Sequence, residues 1–416
     1  MAREMEGFRE LRAASASCPC GRRHVLMTKE VFLDRGVRRE LAAVLARLVG
    51  EGAAAMVVSD ETTRRVAGAV VGMALSAAGF AVREVVIPGR RPHADEATAA
   101  RIIEANPEEC SVLVAVGSGT ITDLVRLAAH RTGKPFAVVP TAASMDGYAS
   151  PVVPMLIGGA KQSTPATPPV AVLVDLDLVA TAPLQMTMAG LGDLAGKITA
   201  RADWVLAHLL IGEEICLRLA DLSVEALEKA REDPAGMREG RFPALTAVME
   251  GLLTAGLAMQ MVGSSRPASG AEHHLAHHWE ERDLIAGREG PLHGTYVGVA
   301  APIAASLARR LAGLEGSEVE RRLAARASEG PALQVFRWEE VRRAILRLVP
   351  EPAAIRGILA EAGAPSTPGE VGLAEREVLD ALLHAHERRP RFTSLTLAHR
   401  LGLMEEWAPA IVEEVF

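Results

Sequence analysis

Short valine-rich runs alternate with amphipathic stretches from about Ala53 to Asp177, and this alternation constrains the fold more than any other feature of the chain. The runs predict strands in AAAMVVSD, VREVVIPG, CSVLVAVGSG and PFAVVPT, with a last strand in VAVLVDLDLV. Helices are predicted between them, in ETTRRVAGAVVGMALSAAG, DEATAARIIEA and TITDLVRLAAHRTG. Apolar strands that alternate with helices favour a parallel sheet covered on both faces.

The pattern changes after about Thr181, where a 3.6-residue periodicity begins and continues nearly to Phe416. A single hydrophobic core does not extend over 416 residues, so two domains are expected. Hydrophobic residues make up 49% of the chain and aromatic residues only 3%, so the core must consist of Ala, Val, Leu and Ile. We predict an α/β nucleotide-type domain with a parallel Rossmann-like sheet at 1–180, and an all-α domain at 181–416.

Charge and hydropathy exclude several classes of function. The formal net charge is −7 and both signs are mixed along the chain, so no nucleic-acid partner is expected. The beginning, MAREMEGFRELRAA, is charged and has no apolar signal core. No apolar run is expected to reach the roughly 18–20 residues that span a bilayer. These features predict a cytoplasmic protein without a membrane span.

The four cysteines are too few for a disulfide scaffold in a chain of this length. Two of them, Cys18 and Cys20, form a local cluster with His24 in CPCGRRH. The C-x-C spacing is tighter than that of the usual zinc knuckle, and a fourth ligand is not evident. Reduced thiols in a turn are therefore favoured over a metal site, which stays open as the alternative.

A glycine turn follows one predicted strand, in VLVAVGSGTITDLVRLAA. The strand runs into Gly117, Ser118 and Gly119, and a helix is expected from about Thr120. Exposed N–H groups and the dipole at a helix start favour a phosphate group. Thr122 stands where the third glycine of G-x-G-x-x-G would fall. A nucleotide phosphate site and a tight turn without a ligand both remain open.

A second polar loop, VPTAASMDGYASP, follows the next strand. Open α/β sheets bind ligands at the carboxyl ends of their strands, where this loop is expected. Asp146 in the loop is placed to bind a polyol hydroxyl, and the alternative is an Asx turn that stabilises the loop.

Four histidines occur within six positions of EHHLAHHWEE, and they form two pairs at i,i+4 spacing, His273 with His277 and His274 with His278. Periodicity does not choose between the pairs. Another histidine, His293, follows in PLHGTYVGV. Such histidines are typical either of a metal site or of a solvated polar helix, and spacing alone leaves both open.

One carboxylate could complete such a site. Asp193 lies between glycines in AGLGDLAGK, where its simplest role is to cap a helix. One carboxylate with two imidazoles would leave open positions on a divalent ion, as a catalytic metal site requires.

The motifs GSGTITD, PTAASMDGYASP, GLGDLAGK, SGAEHHLAHHWE and LHGTYVG together resemble the sn-glycerol-1-phosphate dehydrogenases, most closely the bacterial branch. That family belongs to the metal-dependent polyol and iron-containing alcohol dehydrogenases, which share the dehydroquinate-synthase-like fold. The resemblance implies NAD- or NADP-dependent interconversion of sn-glycerol 1-phosphate and dihydroxyacetone phosphate. It also implies one zinc or nickel ion that polarises the C2 oxygen, and a homo-oligomer, dimer or larger.

The same resemblance assigns roles to residues. It implies the metal ligands and catalytic residues Asp193, His273 and His293, and it selects His273 rather than His274. Substrate contacts are implied for four residues, which are Asp146, Lys161, Asp193 and His277. The cofactor would contact the glycine turn and the second loop at Gly117, Ser118, Gly119, Thr120, Thr141, Ser144 and Ser150.

Two neighbours of the implied ligands, His274 and His278, are expected to be solvated or to support other residues.

Three other functions remain as alternatives. A related enzyme could act on glycerol or another polyol. A dehydroquinate-synthase-like lyase needs a clamp dense in Lys and Arg, and between Thr141 and Lys197 the only basic residues are Lys161 and Lys197 itself. The third alternative is a binding protein without catalytic activity.

Overall fold

The computed structural model describes residues 3–89, 92–106, 108–157, 160–326 and 331–416. It contains two compact units, one of Met1–Thr187 with Glu239–Ser265 and one of Met188–Arg238 with Arg266–Phe416. The boundary after residue 180 stays a prediction.

The first unit is built on a six-stranded sheet with the order β1-β8-β5-β4-β2-β3, in which every pairing is parallel. The strands are β1 (Glu30–Asp34), β2 (Ala54–Asp60), β3 (Ala81–Ile87), β4 (Cys110–Gly117), β5 (Phe136–Pro140) and β8 (Ala171–Asp175). From β2 the chain passes to β3 on one side and then to β4 on the other. The carboxyl ends of β2 and β4 therefore flank a topological switch point, the usual ligand crevice of such sheets.

The helices of the first unit cover this sheet and complete its core. They are α1 (Glu6–Ala16), α2 (Leu41–Val49), α3 (Glu61–Thr63), α4 (Ala69–Ala77), α5 (Glu96–Ala105), α6 (Gly119–Thr132), α7 (Leu176–Val179) and α12 (Phe242–Val262). Apolar side chains of β2, β4 and β5, among them Val57, Val114 and Val139, pack in one cluster with Leu45 of α2 and Leu75 of α4. The predicted parallel α/β sheet is confirmed.

The second unit contains only helices among the described residues. They are α8 (Leu184–Ala195, from Met188 on), α9 (Lys197–Ile211), α10 (Leu217–Ala230), α11 (Pro234–Glu239), α13 (Ala271–Ile285), α14 (His293–Ala312), α15 (Gly316–Ala324), α16 (Trp338–Leu348), α17 (Pro352–Ala362), α18 (Glu375–His384), α19 (Ser394–Arg400) and α20 (Met404–Val415). The predicted helical second half is confirmed.

Three local features differ from the sequence prediction. Strand β1 precedes the predicted alternation, and an antiparallel hairpin of β6 (Val152–Ile157) and β7 (Ala160–Pro165) was not predicted. The run VAVLVDLDLV is a strand only to Asp175. There the Asp175 carboxylate accepts the N–H of Asp177 at 3.1 Å and starts α7.

One helix overturns the expectation that no apolar run is long enough for a bilayer. Among the described residues, α12 is long and apolar enough to cross a membrane. The bent pair of α14 and α15 is also long and apolar enough if it is taken as one broken segment. In α12, 72% of the most apolar window is buried in the folded chain. The helix thus has the burial of a core helix.

Candidate functional site

The three predicted metal ligands lie together in the second unit. Asp193 is on α8, His273 is on α13 and His293 is the first residue of α14. Their ligand atoms all lie within 4.8 Å of one another, and His273 Nε2 is 3.7 Å from Asp193 Oδ1. Asp193 lies near the carboxyl end of α8, so the interpretation as a helix cap is wrong.

Glycines bring two of these ligands into range. A Cβ atom on Gly298 would lie 2.8 Å from the Cα of Gly192, so the backbones of α14 and α8 are in direct contact. Gly192 also approaches the carbonyl oxygen of Gly294 more closely than any side chain permits. Because Gly192 precedes Asp193 and Gly294 follows His293, this crossing sets the distance between the two ligands.

Two glutamates, which were not among the predicted site residues, orient the imidazoles. His273 Nδ1 lies 2.8 Å from a carboxylate oxygen of Glu272, and His293 Nδ1 lies 2.9 Å from one of Glu280. Carboxylates accept hydrogen bonds, so each Nδ1 carries the proton and each Nε2 keeps a lone pair. This is the support that metal-binding histidines usually have. Each glutamate lies close to its histidine or to the histidine run in sequence, so a search for carboxylate–histidine pairs would have found them.

The charge states also suit a metal ion. Burial, together with the charges of Lys197 and His293, lowers the pKa of His273 well below its usual value, so the imidazole is neutral. Burial alone would raise the pKa of Asp193, but Lys197, His293 and His273 lower it, so the carboxylate is ionised. Lys197 Nζ donates to Asp193 Oδ1 at 2.7 Å, and both side chains are completely buried. A neutral imidazole and an ionised carboxylate are the forms that bind a divalent cation.

The histidine run lies on a buried helix, since every residue from Ala271 to Trp279 is buried. The alternative of a solvated polar helix is therefore wrong. Of the two expectations for His274 and His278, burial excludes the solvated one and leaves a supporting role. His278 pairs with Asp380 at 2.7 Å. The ring of His277 lies 5.3 Å from that of His293 and can join Glu280 and His293 in a second group of ligand atoms.

The remaining histidine faces a cluster of arginines. Both ring nitrogens of His274 are buried and have no hydrogen-bond partner within the described residues. Arg389 and Arg391 contribute to lowering its pKa, after burial. Arg391 donates to the carbonyl of Ser269 at 2.6 Å, and Arg389 approaches the Ser269 hydroxyl at 3.4 Å. In the sequence, RRPRF indicates only a break between helices, so this cluster was not predicted.

The predicted cofactor residues lie in the first unit, beside the topological switch point. Gly117 ends β4, Ser118 caps α6 without a side-chain bond, and Gly119 begins the helix, one residue before the predicted start. A Cβ atom on Gly117 would lie 2.6 Å from Cβ of Ile121, so the turn accepts only glycine there. The partly exposed residues 118–120 present the first N–H groups of the helix.

The second loop is joined to the glycine turn. The N–H of Thr141 donates to the carbonyl of Gly117 at 3.1 Å. Ser144 hydrogen-bonds the Tyr148 side chain, and the Ser150 hydroxyl is bonded to the backbone of Val152 at 3.1 Å. Ser144 and Ser150 thus stabilise the loop itself, whereas Thr141 lies directly at the turn.

Asp146 is buried in this loop and makes no capping bond to the turn that follows it. The fully buried Arg126 holds the loop, since it pairs with Asp123 at 2.6 Å and donates to the carbonyls of Gly147 and Tyr148. Burial lowers the pKa of Arg126, and the charges of Asp123 and Asp146 oppose this effect. The backbone of Lys161 lies in β7, and its side chain lies outside the described residues.

Known proteins that are similar to this chain indicate its family. Residues 32–183 match the family model described as iron-containing alcohol dehydrogenase. A glycerol-1-phosphate dehydrogenase (NAD(P)+) of Bacillus licheniformis is 35% identical over 396 residues, which cover 93% of each chain. The chain belongs to the glycerol-1-phosphate dehydrogenase family.

Further relatives agree with this family. The enzyme of the same name from Methanosarcina barkeri is 32% identical, with 89% of this chain and 90% of that one covered. A crystal structure of a probable glycerol dehydrogenase from Sinorhizobium meliloti shares the fold, with a TM-score of 0.65, 18% identity, and 94% and 100% of the two chains covered. The predictions of family, fold and an oxidoreductase are confirmed.

Proposed function

We propose that this glycerol-1-phosphate dehydrogenase family member interconverts sn-glycerol 1-phosphate and dihydroxyacetone phosphate with NAD(P). The observation that carries the proposal is the cluster of Asp193, His273 and His293, in which an ionised carboxylate, the neutral imidazole of His273 and the imidazole of His293 lie within 4.8 Å. The names of the relatives at 35% and 32% identity support the substrate pair. A homo-oligomer and a cytoplasmic location belong to the same proposal.

The three ligands would hold a zinc or nickel ion, since an Asp/His₂ set accepts either. When bound, the ion supplies Lewis-acid stabilisation of charge on the C2 oxygen, and the nicotinamide supplies the acceptor or donor of the hydride. The protein's own part is to fix the ligands. Glu272 and Glu280 hold the two Nδ1 protons, and Lys197 holds the Asp193 carboxylate.

His277 is our candidate for the proton transfer that accompanies the reaction. It lies one helical turn after His273, and its ring is 5.3 Å from that of His293. A ring nitrogen of His277 would take the hydroxyl proton as the alcohol is oxidised and return it in the reverse direction. Glu280 lies in the same group of ligand atoms and would stabilise the protonated imidazole.

For the substrate phosphate we propose Arg389 and Arg391 together with His274. Two guanidinium groups bind phosphate well because their N–H groups match its oxygens. Burial, followed by the charges of Arg389 and Arg266, lowers the pKa of Arg391 to about 9, and an anion would relieve this repulsion. The buried nitrogens of His274 would gain their missing partner. Lys161 stays a prediction for the same phosphate.

The cofactor would bind at the turn of Gly117, Ser118 and Gly119, with its phosphates at the N-terminus of α6. Thr120 and Thr141 line this turn. The proposal assigns Ser144 and Ser150 to the support of the loop, and Asp146 to a substrate hydroxyl.

Reduction of dihydroxyacetone phosphate tests the proposal. The purified protein, loaded with zinc or nickel, is mixed with the substrate and NADH or NADPH, and nicotinamide absorbance is followed. We expect oxidation of NADH, NADPH or both, and sn-glycerol 1-phosphate as the product. Absence of turnover with both cofactors and both metals would refute it. Turnover of unphosphorylated dihydroxyacetone alone would identify a polyol dehydrogenase instead.

A further inference from the structure

The motif CPCGRRH lies in the first unit, in the segment between α1 and β1, which contains neither helix nor strand. Cys18, Pro19, Cys20 and Gly21 form a β-turn in which the N–H of Gly21 donates to the carbonyl of Cys18 at 3.0 Å. Gly21 has a φ of 75°, a conformation that favours glycine, and proline at the second position stabilises such a turn. The turn places two thiols side by side.

A histidine completes the cluster. His24 is 7% exposed, and its Nδ1 lies 2.8 Å from the carbonyl oxygen of Met261 at the end of α12. Because a carbonyl only accepts, Nδ1 carries the proton and the lone pair of Nε2 faces the thiols. The Sγ atom of Cys20 lies 3.2 Å from this Nε2. A histidine held through Nδ1 by a carbonyl is the usual arrangement of a metal ligand.

The spacing of the three donor atoms suits a zinc ion. The Sγ atoms of Cys18 and Cys20 and a ring nitrogen of His24 lie within 4.8 Å of one another. Ligands of tetrahedral zinc, with bonds of about 2.3 Å to sulfur and about 2.0 Å to nitrogen, stand roughly 3.5–3.8 Å apart. All four cysteines of the chain lie among the described residues, and none of them forms a disulfide.

We propose that Cys18, Cys20 and His24 form a second, structural zinc site, separate from the Asp193 cluster. Binding releases the protons of the two thiols, and the thiolates and the His24 Nε2 lone pair form the bonds to zinc. A tetrahedral zinc ion has four ligands, so a further donor would complete the site. This proposal takes the metal site that the sequence left open in place of the reduced thiols that it favoured.

The site has a structural consequence because of where α12 ends. Next to Met261, Gln260 accepts the N–H of Thr28 at 3.2 Å and donates to the carbonyl of Ala149 at 2.6 Å. The ion would fix the N-terminal segment to the same helix end that holds the second loop. We therefore assign it a role in stability of the first unit.

Metal analysis of the full-length protein tests the proposal. After growth with zinc, the wild type is expected to hold two equivalents per chain, and Cys18→Ser, Cys20→Ser and His24→Ala one equivalent each. Cys110→Ser is the matched control, since that buried cysteine lies in β4 and its thiol bonds the carbonyl of Val112. The control should keep two equivalents, and His273→Ala should lose only the other ion.

Cobalt(II) substitution separates the two sites already in the wild type, so its first result does not depend on a variant that could misfold. Only the cysteine site would give thiolate-to-cobalt charge-transfer absorption, because the Asp193 cluster has no sulfur ligand. The wild type and His273→Ala should both show this band, and Cys20→Ser should lose it. A wild type without the band, or cysteine variants with unchanged metal content, would overturn the proposal.

Discussion

Gly192 of α8 and Gly294 of α14 lie in backbone contact, and each is the sequence neighbour of a proposed metal ligand. No side chain fits between them, because a Cβ atom on either glycine would overlap a backbone oxygen across the crossing. The distance between Asp193 and His293 therefore depends on two residues that bear no functional group.

Replacement of Gly192 by Ala tests this dependence. Alanine ordinarily stabilises a helix by about 1 kcal/mol relative to glycine, but here the methyl group would force the helices apart. We expect the free energy of unfolding to fall by about 1–3 kcal/mol, as in overpacked cores, and metal affinity to fall as well. Chemical denaturation and metal titration measure the two effects.

Gly357→Ala is the control, because Gly357 lies within α17 and a methyl group added there would meet no atom within 4 Å outside its own stretch of helix. That variant should be neutral or slightly stabilised and should bind metal normally. Equal behaviour of the two variants would show that the α8–α14 crossing does not set the site.

The choice of His273 over its neighbour His274 can be tested by metal content. His273 Nε2 faces Asp193, whereas the nitrogens of His274 have no hydrogen-bond partner among the described residues. We expect His273→Ala to lose one equivalent of metal and His274→Ala to lose none. Elemental analysis of the purified variants measures the metal content. Loss of metal from His274→Ala, with none from His273→Ala, would show that His274 is the ligand.

The sequence predicted the parts of the fold that depend on local pattern. Valine-rich runs gave the strands β2 to β5, and 3.6-residue periodicity gave the helical second unit. Strand β1 was not predicted because EVFLD is short and partly charged. Its pairing with β8 joins residues about 140 positions apart. Such long-range pairing leaves no local signal.

The candidate site shows the same division. Spacing allowed a metal site, and resemblance selected Asp193 and His273, but neither indicated that α13 is buried. Arg389 and Arg391 were missed because they lie more than a hundred residues from the histidine run and come close to it only in the folded unit.

Lys197 should contribute strongly to the stability of the metal-free protein. Its ammonium group is the buried partner of Asp193, so Lys197→Met would leave a buried carboxylate without a cation. Loss of one member of a buried pair costs about 3–5 kcal/mol. A bound divalent ion would supply the missing charge, so zinc should raise the melting temperature of this variant more than that of the wild type.

Thermal unfolding with and without zinc measures the difference. Lys229→Met, at an exposed position of α10, is the control and should respond like the wild type. Equal zinc-induced shifts in all three proteins would count against the role of Lys197.

The proposed phosphate contacts predict a selective change in kinetics. Arg389→Ala or Arg391→Ala would remove charged hydrogen bonds worth about 1.5–3 kcal/mol each, so KM for dihydroxyacetone phosphate should rise about 10- to 100-fold. Activity with unphosphorylated dihydroxyacetone should change little, as should both activities in Arg376→Ala, an exposed position of α18. A parallel loss of activity with both substrates would indicate general damage to the site.

The pH dependence of stability should report on His399. Its Nε2 lies 2.9 Å from the carbonyl of Leu382, and its ring stacks on His386. Burial lowers the pKa of His399 from 6.5 to about 4. Between these values the unfolded chain binds a proton that the folded chain does not, so the stability is complete above pH 6.5 and falls as the pH drops toward 4.

In His399→Gln this contribution disappears, and the slope of unfolding free energy against pH should become shallower by at most about 1.4 kcal/mol per pH unit. Urea denaturation at several pH values between 4 and 7 measures the slope. His384→Gln, at an exposed histidine of α18, should keep the wild-type slope. An unchanged slope in His399→Gln would show that other buried histidines, such as His274 and His278, carry the acid sensitivity instead.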